Sequence, residues 1–456
     1  MPDRDDENPL EEFLRQFGIQ PGPDGTYDIN ALMGPLQQAM NQFGRQMDAM
    51  GGGDGSQGLN WTFVKDVARK VTAASGPDPS PSSADAAAVR DTAGLADLWL
   101  DQHTSFERTN TAPAAWSRAE WVEATMGTWE ELVGSVSASL TEAISGVLQR
   151  PEPEMAPMAA MMEPMMRQAA AGMLAAQVGQ GIGQLATAVL SATDLGFPLT
   201  PKPVVALLPA NVAAFAAGLD VPLDDVRLYL ALRETARQRL FAGVGWLGPQ
   251  MLALIAHYAR GISIDAASFE QAIEAQLSGG ISPENLSELG TSVAGKLFQP
   301  DLSPDQIDIL ERLETLVAVV EGWVDDVVAQ TTAGLLPHAD ALLELVRRRR
   351  ASAGPAESAL KTLLNLELRP RRVRDAANAW AALRAAQGVE ARDAVWAHPD
   401  FVPTASDLDD PLAFAENGGH VDRTGAAMDA ALAALLDEET GEGSGQEGPE
   451  TPGPTP

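Results

Sequence analysis

Cysteine is absent from this 456-residue chain, which therefore has no disulfide framework, no thiolate nucleophile and no metal site held by sulfur. Histidine is scarce: His103, His257, His338, His398 and His420 are the whole complement, which makes a multi-histidine metal site hard to assemble. Basic residues number 31 against 63 acids, so the formal charge is −32, and aromatic residues make up only 5%. A charge of that sign opposes sequence-independent nucleic-acid binding, in which cationic side chains displace counterions from phosphates, and opposes adhesion to anionic lipid. The lack of cysteine leaves the compartment open, because a cytosolic protein need not carry any.

The opening residues MPDRDDEN have neither the basic region nor the apolar run of a secretory signal, so the chain is expected to be soluble and cytoplasmic. Long runs of large aliphatic residues are also missing. The longest uncharged stretch, 168–193, is long enough to cross a bilayer, but it holds Gln168, Gln177, Gln180, Gln184 and four glycines. It is read as a buried small-residue helix rather than a membrane span.

What is present is helix. Apolar i, i+3, i+4 spacing among good helix formers predicts helices at 61–74, 86–102, 116–148, 155–193, 223–244, 248–260, 267–278, 304–332, 338–351 and 356–366. Alternating β-branched segments are scarce, and 203–208 (PVVALL) is the best short-strand candidate. The expected fold is mainly α, one large helical domain over 58–430 or two that share an interface. A weakly ordered segment is expected at 1–57 and a disordered acidic tail at 431–456, where Asp437 to Pro456 carries six acids and no base.

Several local patterns have ordinary readings. Met155, Met158, Met161, Met162, Met165 and Met166 share a broad helical face, which suits core or interface packing better than a soft-metal site. Gly179-x-Gly181-x-Gly183 lacks the spacing and preceding strand of a dinucleotide fingerprint, and close helix approach explains it better. Residues 347–374 hold nine of the 31 basic residues; helix C-terminal charge and ion pairing within an acidic protein, its own tail included, are the expectation, contact with phosphates or an acidic partner the alternative. The pairs Asp325-Asp326 and Asp409-Asp410 are expected in turns or at the surface.

One helix is chemically unusual, Leu223 to Phe241, reading LDDVRLYLALRETARQRLF. Arg233-Glu234-Thr235-Ala236-Arg237 has the geometry of H-E-x-x-H, in which two imidazoles on consecutive turns bind zinc and the glutamate activates its water. Both histidine positions are arginine here, and a protonated guanidinium has no lone pair to give a cation. Around it, Tyr229 to Phe241, Gly245-Trp246-Leu247 and Tyr258-Ala259-Arg260-Gly261-Ile262 resemble the type 2 zincin-like metallopeptidase family of actinobacteria. Asn60-Trp61, Leu98-Trp99-Leu100-Asp101, Trp116 to Glu123, Leu368 to Arg372 and Trp396-x-His398-Pro399-Asp400 fit as well, so the resemblance runs over roughly 58–425.

The resemblance implies a zincin-like fold and a hydrolase or zinc-dependent metalloprotease ancestry. It puts zinc-binding histidines where Arg233 and Arg237 stand, the general base on Glu234, and the third ligand on Glu321 within Val320-Glu321-Gly322-Trp323. Trp246 and Trp323 become candidates for lining the cleft. Two readings of the motif follow. In one, Arg233, Glu234 and Arg237 form ion pairs on an exposed helix face. In the other, Arg237 with Arg233 reaches Glu321 in the former zinc cleft and supplies the missing positive charge. Three functional readings accompany them. The first is a metal-free binding or scaffolding protein that holds a peptide or partner segment in that cleft. The second is an active hydrolase with displaced ligands such as Glu234, Glu321 and His257. The third is an interaction protein that docks through Arg347–Arg374.

Overall fold

The computed structural model describes residues 59–148, 156–261, 302–351, 355–364 and 366–417. The expectations for 1–57, 267–278 and 431–456 lie outside them, as do the side chains of the Met155–Met166 run. Twelve helices are described: α1 Trp61–Ala74, α2 Ser83–Leu100, α3 Arg118–Leu148, α4 Ala156–Ala188, α5 Pro209–Ala216, α6 Leu223–Gly243, α7 Leu247–Arg260, α8 Pro304–Thr332, α9 Ala339–Ala351, α10 Pro355–Leu364, α11 Val373–Ala394 and α12 Pro411–Glu416. The fold is mainly α, as its residue pattern predicts. Among the described residues no single helix is long and apolar enough to cross a membrane.

Local chemistry sets many of the ends. Asn60 caps α1 by accepting from the Phe63 amide at 3.0 Å, and Ser303 with Gln306 forms a reciprocal capping box ahead of Pro304 in α8. Buried Val64, Ala68 and Thr72 mark the face of α1 that packs on α4. Glycines let these two helices touch through backbone. A Cβ on Gly179 would lie 2.6 Å from the Val64 carbonyl oxygen, and one on Gly183 2.7 Å from that of Ala68. Gly181 faces the other way, where a Cβ would meet Leu363 of α10 at 2.5 Å. The glycine triplet is a two-sided packing device.

The short-strand expectation holds in a reduced form. Ala206–Leu207 pairs in parallel with Ala114–Ala115, and an antiparallel bridge joins Ser191 to Leu207. Ala192 donates to the Ala206 carbonyl at 3.0 Å and Leu208 to that of Leu190 at 3.0 Å, which fixes the stretch after α4, a bridge residue followed by a turn, against this pair. That stretch carries Thr193 and Asp194 toward the centre.

At the centre lies α6. Every residue from Tyr229 to Leu240 is buried, although the run includes Arg233, Glu234, Arg237, Gln238 and Arg239. Helix α2 covers one side of it, and α8, itself packed on α11, another. A helix this polar is stable inside a protein only when its neighbours supply a partner for each charge. Gly322 of α8 approaches α11 so closely that a Cβ there would sit 2.6 Å from the Ala377 amide nitrogen. Helix α11 itself has a faint sequence signal. Alanine occupies nine of its 22 positions, which blurs the apolar face, and Gly388 at φ +92° breaks its regularity.

Candidate functional site

The partners of α6 come mainly from α8 and α9. Arg233 donates through Nη2 to Glu321 Oε2 at 2.7 Å and through Nη1 to Asp325 Oδ1 at 2.5 Å. Arg237 donates through Nη1 to the other oxygen of Glu321 at 3.0 Å. The α9 arginines complete the arrangement: Arg350 Nη1 reaches Glu321 Oε2 at 2.8 Å and Arg347 Nε reaches Asp325 Oδ2 at 2.9 Å. Arg349 pairs with Asp194 at 2.9 Å, and Arg350 Nη2 donates to the Asp194 carbonyl at 3.0 Å. Three guanidinium groups thus converge on the one carboxylate of Glu321, whose side chain has no solvent exposure.

Spacing explains the convergence. Positions 233 and 237 are one turn apart on α6, as are 321 and 325 on α8, so each helix presents two charges on one face. The facing helices exchange them as forked, charge-assisted bonds. The exposed-face reading of Arg233, Glu234 and Arg237 is therefore corrected: all three are buried, at 2%, 0% and 2%. The surface reading of Asp325-Asp326 is corrected too. Asp325 belongs to this cluster, and Asp326 accepts from Arg384 at 3.1 Å and from Arg392 at 2.9 Å in a second buried group. Charge alone misled there, since α8 turns its aspartates inward toward arginines distant in sequence. Asp409 and Asp410 keep exposed positions, Asp410 capping α12.

Glu234 is fully enclosed. Its Oε2 accepts from the Thr193 hydroxyl at 2.7 Å and its Oε1 from Gln238 Nε2 at 2.8 Å, with Arg237 Nη2 at 3.4 Å. Burial by itself would raise the Glu321 carboxyl, but Arg350, Arg237 and Arg233 outweigh it and hold the group at about 2. Asp194 is likewise penalised by burial yet held at about 2 by Arg349, Arg350 and Arg237. Arg233 loses by desolvation and gains more from Asp325, Tyr229 and Glu321, ending well above its ordinary value. Arg350 goes the other way: burial, with repulsion from Arg237 and Arg233, exceeds what Glu321 and Asp194 return.

The remaining predicted residues lie elsewhere. Trp323 is buried against Phe106 and Arg392 and donates to Asp393 at 2.9 Å. Trp246 stacks on Trp396 and donates to its carbonyl at 2.9 Å. His257 is half exposed and sits 3.4 Å from Asp305, and it is not brought to Glu234 or Glu321. The basic run at 347–374 is largely spent on internal pairs, including Arg348 with Glu344, Lys361 with Glu367 and Arg369 with Glu357. Its expected pairing with the tail lies outside the described residues.

A pocket of about 340 Å³ opens beside the cluster, with Asp194, Arg349 and Arg350 in its wall. Sequence reasoning did not nominate Asp194, Thr193 or the pocket's apolar walls. The only available signal was the arginine run, whose phase on α9 sends Arg347 and Arg350 to one face.

Fold and cluster together define a mainly helical domain built around a buried ionic helix pair. The chain belongs to the zincin-like metallopeptidase family, whose profile matches residues 59–415. No curated protein matches it. Among solved structures, it is similar to a protein from Chloroflexus aurantiacus provisionally described as a hydrolase with a novel fold. The TM-score is 0.52 at 16% identity, over 79% of this chain and 98% of that one, a likeness that shows the fold alone.

Family membership implies zinc, and the residues here do not fit it. Two of the three implied ligand positions are guanidinium groups without lone pairs. The third, Glu321, has both oxygens engaged by arginine. Among the described residues no set of three His, Cys, Asp or Glu side chains is placed to hold a metal ion.

Proposed function

We propose that this chain is a zincin-like protein without zinc-dependent proteolysis, retained as a binding protein that works through the former cleft. The observation that carries this reading is the bonding of Arg233, Arg237 and Arg350 to Glu321. Three fixed positive charges occupy the environment a divalent cation would need, and they repel it. Glu234 has no free oxygen facing solvent with which to activate water, since Thr193, Gln238 and Arg237 surround it. Coulomb attraction from the arginines keeps Glu321 ionised without a metal, so the helix pair stays closed and its neighbouring pocket stays shaped. A peptide or partner segment is the proposed occupant class.

The test is metal analysis of the full-length protein after dialysis against a zinc buffer, with casein hydrolysis measured in the same preparation. The expected result is zinc far below one per chain and no chelator-sensitive cleavage. About one zinc per chain, lost in Arg237→Ala, overturns the reading.

A further inference from the structure

The pocket beside the cluster has a wall without net charge. Its ionisable side chains are two acids, Asp194 and Glu357, and two arginines, Arg349 and Arg350. Each is already held by a neighbour. Asp194 pairs with Arg349 and accepts from the Leu190 amide, both at 2.9 Å, while Arg350 reaches Glu321 and Glu357 pairs with Arg369. The Nε–H of Arg350 has no acceptor, but it is sealed from solvent and presents nothing to the pocket. The uncharged polar side chains are engaged as well. Asn211 accepts from Arg118 at 2.8 Å and donates to the Ala186 and Val189 carbonyls at 2.9 and 2.6 Å. The Thr187 hydroxyl donates to the Gln184 carbonyl at 2.7 Å, and Arg349 donates to that of Ala188 at 2.5 Å. The rest of the wall is hydrocarbon, with Leu190, Leu195, Phe215, Val317, Leu360 and Leu368 around a volume of about 340 Å³. That volume is at the lower end of the usual range for ligand pockets, about 300–1,000 Å³.

We infer that this pocket binds a small uncharged apolar group, a ring or a short hydrocarbon body, seated among Phe215, Leu360 and Leu368. Removal of hydrocarbon from water on both sides is the driving force the wall offers. A charged head carried in with the ligand would lose its hydration and find the carboxylates and guanidinium groups already bonded to one another. The same chemistry is offered by a free neutral molecule and by an apolar side chain of a peptide. This inference rests on the metal-free reading of the site, because zinc bound at Glu321 would displace the arginines and leave charge on the wall.

Fluorine NMR titration of the full-length protein tests it, with 4-fluorotoluene, 4-fluorobenzoate and 4-fluorobenzylammonium as one ring bearing a neutral, an anionic or a cationic group. The neutral probe is expected to bind about tenfold or more tightly than either ion. Ala214→Trp, at an exposed position on the pocket wall, is expected to abolish binding of 4-fluorotoluene. Ala213→Trp, exposed on the same helix but outside the wall, is expected to leave it unchanged. Displacement of 4-fluorotoluene by N-acetyl-phenylalaninamide supports a peptide side chain as the source, and its binding without such displacement supports a free small molecule. Absence of 4-fluorotoluene binding below about 1 mM, an ion bound as tightly as the neutral probe, or binding that survives Ala214→Trp overturns the inference. Zinc measured on the same sample separates the two readings: bound zinc defeats the metal-free proposal, whereas a zinc-free protein that takes no 4-fluorotoluene defeats only this one.

Discussion

Arg237 and Glu321 stand 84 positions apart in the chain and meet at 3.0 Å, both side chains almost sealed from solvent. The same carboxylate takes Arg233 and Arg350, so it is the shared anion of three buried cations. Removing it is therefore far worse than removing any one arginine. Glu321→Gln leaves three guanidinium groups facing an amide that cannot neutralise them, and breaking such buried pairs costs about 3–5 kcal/mol. Denaturant unfolding in the presence of chelator should show a loss of that size. A midpoint equal to wild type would mean that Glu321 holds no arginine in solution.

Acid should undo the cluster in a defined direction. Glu321 and Asp194 have folded values of about 2, below their ordinary 4.5 and 3.8. A depressed carboxylate contributes stability that is fully present above its unfolded value and is lost as pH falls toward the folded one. At about 1.4 kcal/mol per pH unit, Glu321 alone contributes about 3 kcal/mol above pH ~5. Urea midpoints should hold between pH 7 and 5 and then decline steadily toward pH 2. Because Arg350 is the largest charge acting on Glu321, the decline in Arg350→Met should be smaller and should level off at higher pH. Identical acid limbs in the two proteins would contradict the assignment.

Much of this architecture is legible in the chain, and the illegible parts have physical causes. Helix periodicity is local, so α1, α6 and α8 are visible in the residues themselves. The R-E-x-x-R spacing is local as well, and the family resemblance directs attention to Glu321. Burial is not local. A helix with the charge density of α6 looks like a solvated surface until Asp325, Arg347 and Arg350 arrive from other helices. Thr193 and Asp194 come from a turn whose approach is fixed by backbone bonds of Ala192 to Ala206 and of Leu190 to Leu208, a placement no side-chain period encodes. Alanine-rich α11 hides for the opposite reason, having too little contrast between its faces.

The α1–α4 contact makes a test of packing against propensity. Alanine is a better helix former than glycine by about 1 kcal/mol. At Gly179 or Gly183 the added methyl would nevertheless press on the Val64 or Ala68 carbonyl at less than 3 Å, and backbone does not move aside cheaply. Gly179→Ala and Gly183→Ala should each lose about 1–3 kcal/mol despite their higher propensity. Gly127→Ala, with nothing within 4 Å of its Cβ position, serves as the control and should be neutral or slightly stabilising. A stabilised Gly179→Ala protein would show that α1 and α4 are not in backbone contact.

If arginine stands in for a metal here, putting histidine back should exchange one for the other. Arg233→His with Arg237→His places two imidazoles one turn apart on α6, opposite Glu321, which is the donor set zinc requires. Two obstacles remain in that double variant. Arg350 still pairs with Glu321 at 2.8 Å, and Asp325 loses Arg233 while keeping Arg347. Adding Arg350→Met frees the carboxylate. The triple variant is expected to bind about one zinc per chain and to gain thermal stability when zinc is added, while the double variant binds more weakly and wild type shows no response. Zinc-independent melting of the triple variant would mean that these three positions do not share a metal-sized site, and the idea that arginine replaced zinc there would fall with it.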